Sequence, residues 1–464
     1  MFETTRRKLL GASLLSAGIT LNFTGFSSAA REMKKKGRIL LDSYSDYPKG
    51  LEEAINFPLI EAIHGRRSRR FAKGAIIPDG PLAHQSTEKP ESLSEMEQML
   101  LLSTVSGNTG WSNLIPHNRF YSPNIPNYAG AAGGRTFPSA AGFHTSEIFF
   151  TDDNGSYMMP TRDMIPESNG DIDLKSYLDT HKARIVKLGE GRLNIPKEPQ
   201  HMEVHNEWCA NVPGSTLIIP VADLAQHMIL VLCYLVQNGA CLIDDVNGRA
   251  IPGMDKFRQV VDINNPFPLS YVEQLALTEV TVETSTSCYA GALMLQALGL
   301  GGWMYEGINP FSILGASGDP KVPGLGFRYD MLDGAAFPHI TGLEGHFEGH
   351  TIPHFPDMRA AVMSVVERKF GLGGPFNVNT KGPYKKTETI RSSAASFSQE
   401  QIDCVVAMAD YIYNTFGRFP ATVPAIFTLM YLQAHKLDTD FYDKHFEAGA
   451  YLRTHADNKT NWAR

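Results

Sequence analysis

Apolar residues recur at helical spacing from Leu51 to Ile63, and the helix they predict runs straight into an arginine-rich segment. Ser92-Leu93-Ser94-Glu95 has the form of a helix cap, and the helix after it turns Met96, Leu100, Leu101 and Leu102 inward. Glu147 to Thr151 reads as a strand, Asp153-Asn154-Gly155 as its turn, and Ser156 to Met159 as the return strand. Beyond these come Thr216 to Pro220, a buried helix near Leu224 to Gln237, and a hairpin from Ala240 to Asp244 with Val246-Asn247-Gly248-Arg249 beyond. Thr284 to Leu298 is a helix in which Ala290, Gly291, Ala292 and Ala297 allow close packing, and it delivers the chain into Gly299. Phe397 to Phe446 predicts two or three helices broken by Gly417-Arg418-Phe419-Pro420.

Between these elements lie a loop from Pro78 to Pro90 and a long irregular connection from Gly107 to Tyr128, a length that in compact domains favours function over neutral linkage. Lys381 to Ser398 reads as an exposed linker. The 464 residues, 43% hydrophobic, suffice for a large core and two or three domain-sized units. A net charge of -7 argues against a general nucleic-acid binder. The apolar run His227 to Val236 is too short for a membrane span. Five cysteines show no CxxC pairing, and the odd number leaves at least one thiol unpaired within a monomer.

The N-terminus differs in kind. Thr5-Arg6-Arg7-Lys8-Leu9-Leu10 precedes a weakly apolar stretch to about Phe26, and Ser28-Ala29-Ala30 offers small residues for cleavage. Residues 1–30 resemble a twin-arginine export signal, which implies passage through the twin-arginine translocase in the folded state and a periplasmic or secreted destination. The mature chain would begin near Arg31.

Arg66-Arg67-Ser68-Arg69-Arg70-Phe71 sets a hydroxyl among four guanidiniums, chemistry suited to gripping a phosphate. Much later, Leu298-Gly299-Leu300-Gly301-Gly302-Trp303-Met304-Tyr305-Glu306-Gly307 ends a helix in a run whose backbone can approach a flat ligand. Between them lies Arg135-Thr136-Phe137-Pro138-Ser139-Ala140-Ala141-Gly142-Phe143-His144, followed by apolar Ile148-Phe149-Phe150. In this order the three segments resemble the nitroreductase-like superfamily of FMN-dependent oxidoreductases, most closely its azoline-forming dehydrogenase branch.

The resemblance implies an α+β fold in which a mixed, mainly antiparallel sheet is flanked by helices. It assigns residues 50–370 to the FMN domain, with an insertion at about 163–265 and a helical C-terminal extension at 397–446. Thr284 to Leu298 becomes the central helix at the two-fold interface of a homodimer. Arg66 and Ser68 would hold the FMN phosphate, Arg67 would lie near phosphate or ribityl, and Arg70 near the pyrimidine edge. Glu306 and Gly307 would present backbone to the flavin ring, with Pro138, Ser139 and Ala140 completing the site. The implied activity is hydride transfer through flavin N5 on a small-molecule or peptide substrate, in the dehydrogenase or oxidase direction if the protein is exported.

Simple members of the superfamily commonly have a second basic cluster near the C-terminus for the phosphate, and Arg359 is a candidate for it by position alone. Trp111, Asn113, His117, Phe120, Tyr121 and Tyr128 are candidates for an aromatic pocket over the flavin. Two rival readings remain. His201, Glu203 and His205 would share one face of an extended strand and could hold a metal, with His346, His350 and His354 as further candidates, although no HExxH or paired-cysteine framework accompanies them. The other rival is a non-catalytic flavin-binding protein.

Overall fold

The structure is a computed structural model that describes residues 39–40, 47–113, 115–116, 118, 120–124, 133–164 and 172–463. The export-signal candidate at 1–30, His117 and Tyr128 lie outside the described residues.

Seven strands make the central sheet: β1 (Ser146–Asp152), β2 (Gly155–Met159), β3 (Val186–Glu190), β4 (Thr216–Asp223), β5 (Gly301–Tyr305), β6 (Ile426–Phe427) and β7 (Tyr431–His435). Their order is β5-β7-β4-β1-β2-β3, with β6 beside β4, and every pair is antiparallel. Parallel pairing among the described residues is confined to two small sheets. The fold is therefore mixed α+β with antiparallel sheets and helices.

Strand periodicity divides the core. Phe149 on β1 joins Leu217, Ile219, Trp303 and Tyr431 on one face, while Phe150 joins Ile218, Leu432 and Ala434 on the other. On that second face pack α1 (Glu95–Ser106) and α3 (Leu269–Leu298). The Ser94 side chain accepts from the Glu97 N–H while the Glu97 carboxylate accepts from the Ser94 N–H, the reciprocal cap that the sequence predicts. The side chains of Leu432 and Val105 occupy the space that a Cβ at Gly291 would need, so the small residues of α3 do let sheet and helix approach. A Phe150→Ala change in this core would cost about 3–5 kcal/mol.

A second, helical core gathers α2 (Leu224–Gln237), the first half of α3, α4 (Met358–Phe370) and α5 (Gln399–Phe416). The chain closes with α6 (Arg453–Trp462), which packs on α3.

Three expectations change. The helix foreseen from Leu51 to Ile63 is two helices, Lys49–Ile55 and Leu59–Gly65, because Pro58 disfavours helical geometry at Phe57. Residues 163–265 are no appendage: they supply β3, the fully buried β4 and α2, and β4 sits between β1 and β7. The C-terminal region is not wholly helical, since β6 and β7 follow α5 and β7 separates β5 from β4. A five-residue buried run carries too little periodicity to be told from helix in sequence. The hairpin after α2 does form, Leu242–Asp244 pairing with Arg249–Ala250. All five cysteines are buried and unpaired.

Candidate functional site

The Arg66–Arg70 loop leaves the Leu59–Gly65 helix and runs against β5. Arg69 and Gly302 form an isolated antiparallel bridge in which the Gly302 N–H donates to the Arg69 carbonyl at 2.9 Å. Gly302 has φ 143°, and a Cβ there would collide with the Gln433 carbonyl of β7, so this bridge requires glycine. Arg69, the one arginine of the run with no role implied by the resemblance, is the anchor. Its guanidinium is buried and donates to the Ala450 carbonyl (2.9 Å), Gln296 Oε1 (2.8 Å) and the Gly65 carbonyl (3.1 Å). Burial lowers its pKa to about 10, which leaves it charged at neutral pH.

The neighbouring side chains face outward. Ser68 is exposed and Arg66 partly so, and among the described residues no hydrogen bond or ion pair engages the side chain of either one. Arg67 turns back onto the helix end, donating to the His64 and Arg66 carbonyls at 2.8 Å. The Arg70 guanidinium lies 5.0 Å from the Trp303 ring centroid, and Trp303 stacks on Tyr305 at 4.7 Å. Burial pushes the adjacent Cys209 thiol up to about 11 despite Arg70, so it stays protonated at neutral pH.

At the end of β5, Glu306 is exposed and the Gly307 carbonyl accepts from the Glu203 N–H at 3.0 Å. A Cβ at Gly307 would collide with the Asn206 amide, so within the protomer it is Asn206 that demands glycine here. Beneath this surface, Trp303 Nε1, Tyr305 OH, His435 Nε2 and both amide atoms of Asn206 are buried without hydrogen-bond partners among the described residues. Exposed cations and a free hydroxyl at one end, with unpartnered polar atoms under the other, fit an anionic, ring-bearing group such as FMN.

Pro138, Ser139 and Ala140 lie elsewhere. The Ser139 hydroxyl donates to Glu283 Oε2 at 2.5 Å and accepts from the His144 N–H at 3.1 Å, and the Thr286 hydroxyl donates to the Pro138 carbonyl at 3.5 Å. Glu283 and Gln296, which anchor Ser139 and Arg69, are both on α3 and about 20 Å apart at roughly 1.5 Å per residue. One protomer thus brings the first and third segments together and holds the second apart.

The second segment instead borders a cleft of about 770 Å³ that sequence reasoning did not foresee. Arg135, Phe143, His144 and Arg162 face α4 across it. In its wall, His350 Nδ1 lies 2.6 Å from Asp223 Oδ2, and Arg368 donates to His350 Nε2 at 3.2 Å while pairing with Asp163. Asp223 caps α2 by accepting from the Gln226 N–H at 2.8 Å. Burial opposes its charge, but His350 and Arg162 prevail and hold it below the usual carboxylate range. Burial lowers the His350 pKa, against the pull of Asp223. No spacing rule links Asp223 to His350, and only the scattered His346, His350 and His354 hint at this place in the sequence.

The expected metal group does not assemble. Val204–Asn206 is a 3-10 turn, so the alternation of a strand does not apply. His201 turns inward to Ser312 Oγ at 2.8 Å, while Glu203 and His205 form an exposed pair at 3.3 Å. Among the described residues no group of three or more histidines, cysteines, aspartates or glutamates could hold a metal ion. Arg359 is far from the phosphate candidates in its bonding, paired with Asp403 at 2.9 Å on the helical core. Phe120 and Tyr121 are exposed, and Trp111 carries Arg391 5.0 Å from its ring centroid.

No protein-family model matches the chain, and a search of curated proteins gives no match. Among solved structures, a putative nitroreductase from Ralstonia eutropha JMP134 is similar over 55% of this chain and 71% of its own, at 11% identity and a TM-score of 0.26. A likeness of that extent decides neither fold nor function.

Proposed function

We propose that this protein is an FMN-dependent oxidoreductase of the nitroreductase-like kind, acting on a small-molecule or peptide substrate. The observation that carries the reading is the bridge between Arg69 and Gly302, which joins the phosphate-type loop to the glycine strand. Bound FMN would supply hydride chemistry through its N5 atom. Arg66 and Ser68 would grip its phosphate, Arg67 would stay close by at the helix end, and Arg70 would set positive charge beside the ring. Glu306 and Gly307 would border the ring by their backbone.

The separation of Pro138, Ser139 and Ala140 from this surface favours a site completed by a second copy of the chain. Along α3, Tyr271, Leu275, Val282 and Tyr289 are 39–54% exposed at helical spacing, and Leu59, Ile60 and Ile63 are exposed on the neighbouring helix. Such an apolar stripe is suited to a homodimer. We further propose export through the twin-arginine route on Arg6 and Arg7, with the cofactor loaded beforehand. Among the described residues no helix is long and apolar enough to cross a membrane.

The deciding experiment is the absorbance spectrum and mass of whatever copurifies. Flavin bands and the mass of FMN are the expected result, and a colourless protein that takes up no FMN on titration overturns the proposal. Bound FMN that neither a chemical reductant nor any substrate can reduce would favour a binding protein.

A further inference from the structure

The cleft beside α4 holds a cation that has no counter-charge among the described residues. Arg162 has Glu147 at 3.9 Å and Asp223 at 3.5 Å, and Arg368 has Asp163. Arg135 is spent on the carbonyls of Gly134, Thr161 and Arg162. The lining carboxylates are largely committed as well, with Asp163 on Arg368, Glu348 on Arg328 at 2.7 Å, and Glu367 exposed at the rim. Lys369, at the end of α4, is the exception. Among the described residues no carboxylate lies within ion-pair distance of its ammonium, which sits 5.9 Å from the ring centroid of Phe143 and 5.8 Å from that of Phe376. Aromatic faces attract a cation but do not neutralise it. Burial lowers the Lys369 pKa to about 8, although the side chain is half-buried rather than sealed from solvent.

A second residue lining the cleft is also incompletely satisfied. His144 is buried, holds a left-handed backbone at φ 49°, and leaves Nδ1 without a partner among the described residues. Burial, with Arg135 adding to it, pushes its pKa down to about 3, so the ring is neutral and offers hydrogen bonding without charge.

We propose that this cleft is a ligand site for a small organic monocarboxylate, whose carboxylate pairs with Lys369 and whose apolar body lies against Phe143, Leu230 and Phe355. One uncompensated ammonium matches one negative charge, where a phosphate dianion would call for two. The apolar side chains among the lining residues suit a hydrocarbon body, and about 770 Å³ falls in the range of small-molecule pockets. The site is separate from the Arg66–Arg70 surface and stands whether or not FMN binds there.

Calorimetric titration of the full chain with benzoate, and separately with inorganic phosphate, tests this. Wild type is expected to bind benzoate saturably, and phosphate is expected not to compete. Lys369→Met keeps length and removes charge, and should weaken benzoate by at least roughly tenfold at an unchanged melting temperature. Ser364→Phe fills the α4 wall without touching the charge and should weaken benzoate too, which keeps the test decisive if the first variant fails to fold. Unaltered benzoate affinity in either folded variant overturns the proposal, as does competition by phosphate or the absence of saturable benzoate binding to wild type.

Discussion

The Gly302 N–H donates to the Arg69 carbonyl at 2.9 Å, fixing the arginine loop to a strand that follows it by more than half the chain. Arg69 reinforces the joint through Gln296 of α3, so loop, strand and central helix are tied together. The loop then offers to solvent Arg67, which is bonded back to the helix end, and the unengaged side chains of Arg66 and Ser68.

Replacing either Arg66 or Ser68 by alanine should weaken FMN by about 1.5–3 kcal/mol, the worth of a hydrogen bond to a charged group. Neither side chain has a partner among the described residues, so folding stability should hardly change. Titration of apo-protein with FMN checks the first part and thermal melting the second; unchanged affinity in both variants removes the phosphate assignment.

Arg70→Ala should retain much of the FMN but shift the flavin potential to more negative values, because the reduced anion loses a cation. In a two-electron couple about 30 mV corresponds to about 1.4 kcal/mol, so a partly screened charge still gives a measurable shift. The variant also strips the guanidinium from Trp303 and should alter its fluorescence. Redox titration against a reference dye reads the potential, and coincident midpoints would clear Arg70 of this role.

Val282→Asp places a charge in the exposed apolar stripe of α3, where the proposed partner copy would bury it. The expected outcome is a folded monomer with little bound FMN, seen by light scattering and absorbance together. A monomeric variant with full flavin content would contradict the shared site.

Lys436→Met should destabilise the fold by about 3–5 kcal/mol, since it strands a buried carboxylate. Lys436 Nζ lies 2.6 Å from Glu97 Oε1, and both side chains are almost wholly buried. Adding Glu97→Gln should recover part of the loss while retaining a group that can still accept from the Ser94 N–H. Chemical denaturation of the two variants measures the difference.

Stability should fall as pH drops from 7 to 5. Burial lowers the pKa of His339 and His435 to about 4 and of His144 and His455 to about 3. These rings stay neutral in the fold while the unfolded chain takes up protons near pH 6.5. The stabilisation is therefore complete above pH 6.5 and lost progressively below it, each ring contributing up to about 2 kcal/mol by pH 5. Melting temperatures across this range report it, and a flat profile would show that the four rings are already open to water.

The sequence by itself determined the elements whose causes are local. The Ser94–Glu97 cap, the turn at Asp153-Asn154 and the buried helix from Leu224 to Gln237 all form because their information lies within a few residues of where it acts. It also singled out three segments, of which the structure brings together the first and third. Only the tertiary structure decided that Arg69 is an anchor rather than a ligand group, that β4 and β7 are central strands, and that Ser139 and Arg69 are held by residues far apart on one helix. It alone brought Asp223 to His350 and, among the described residues, left Lys369 without a counter-charge. Those outcomes rest on which distant side chains share a low-dielectric space, and the burial that fixes them exists only once the sheet and helices have packed.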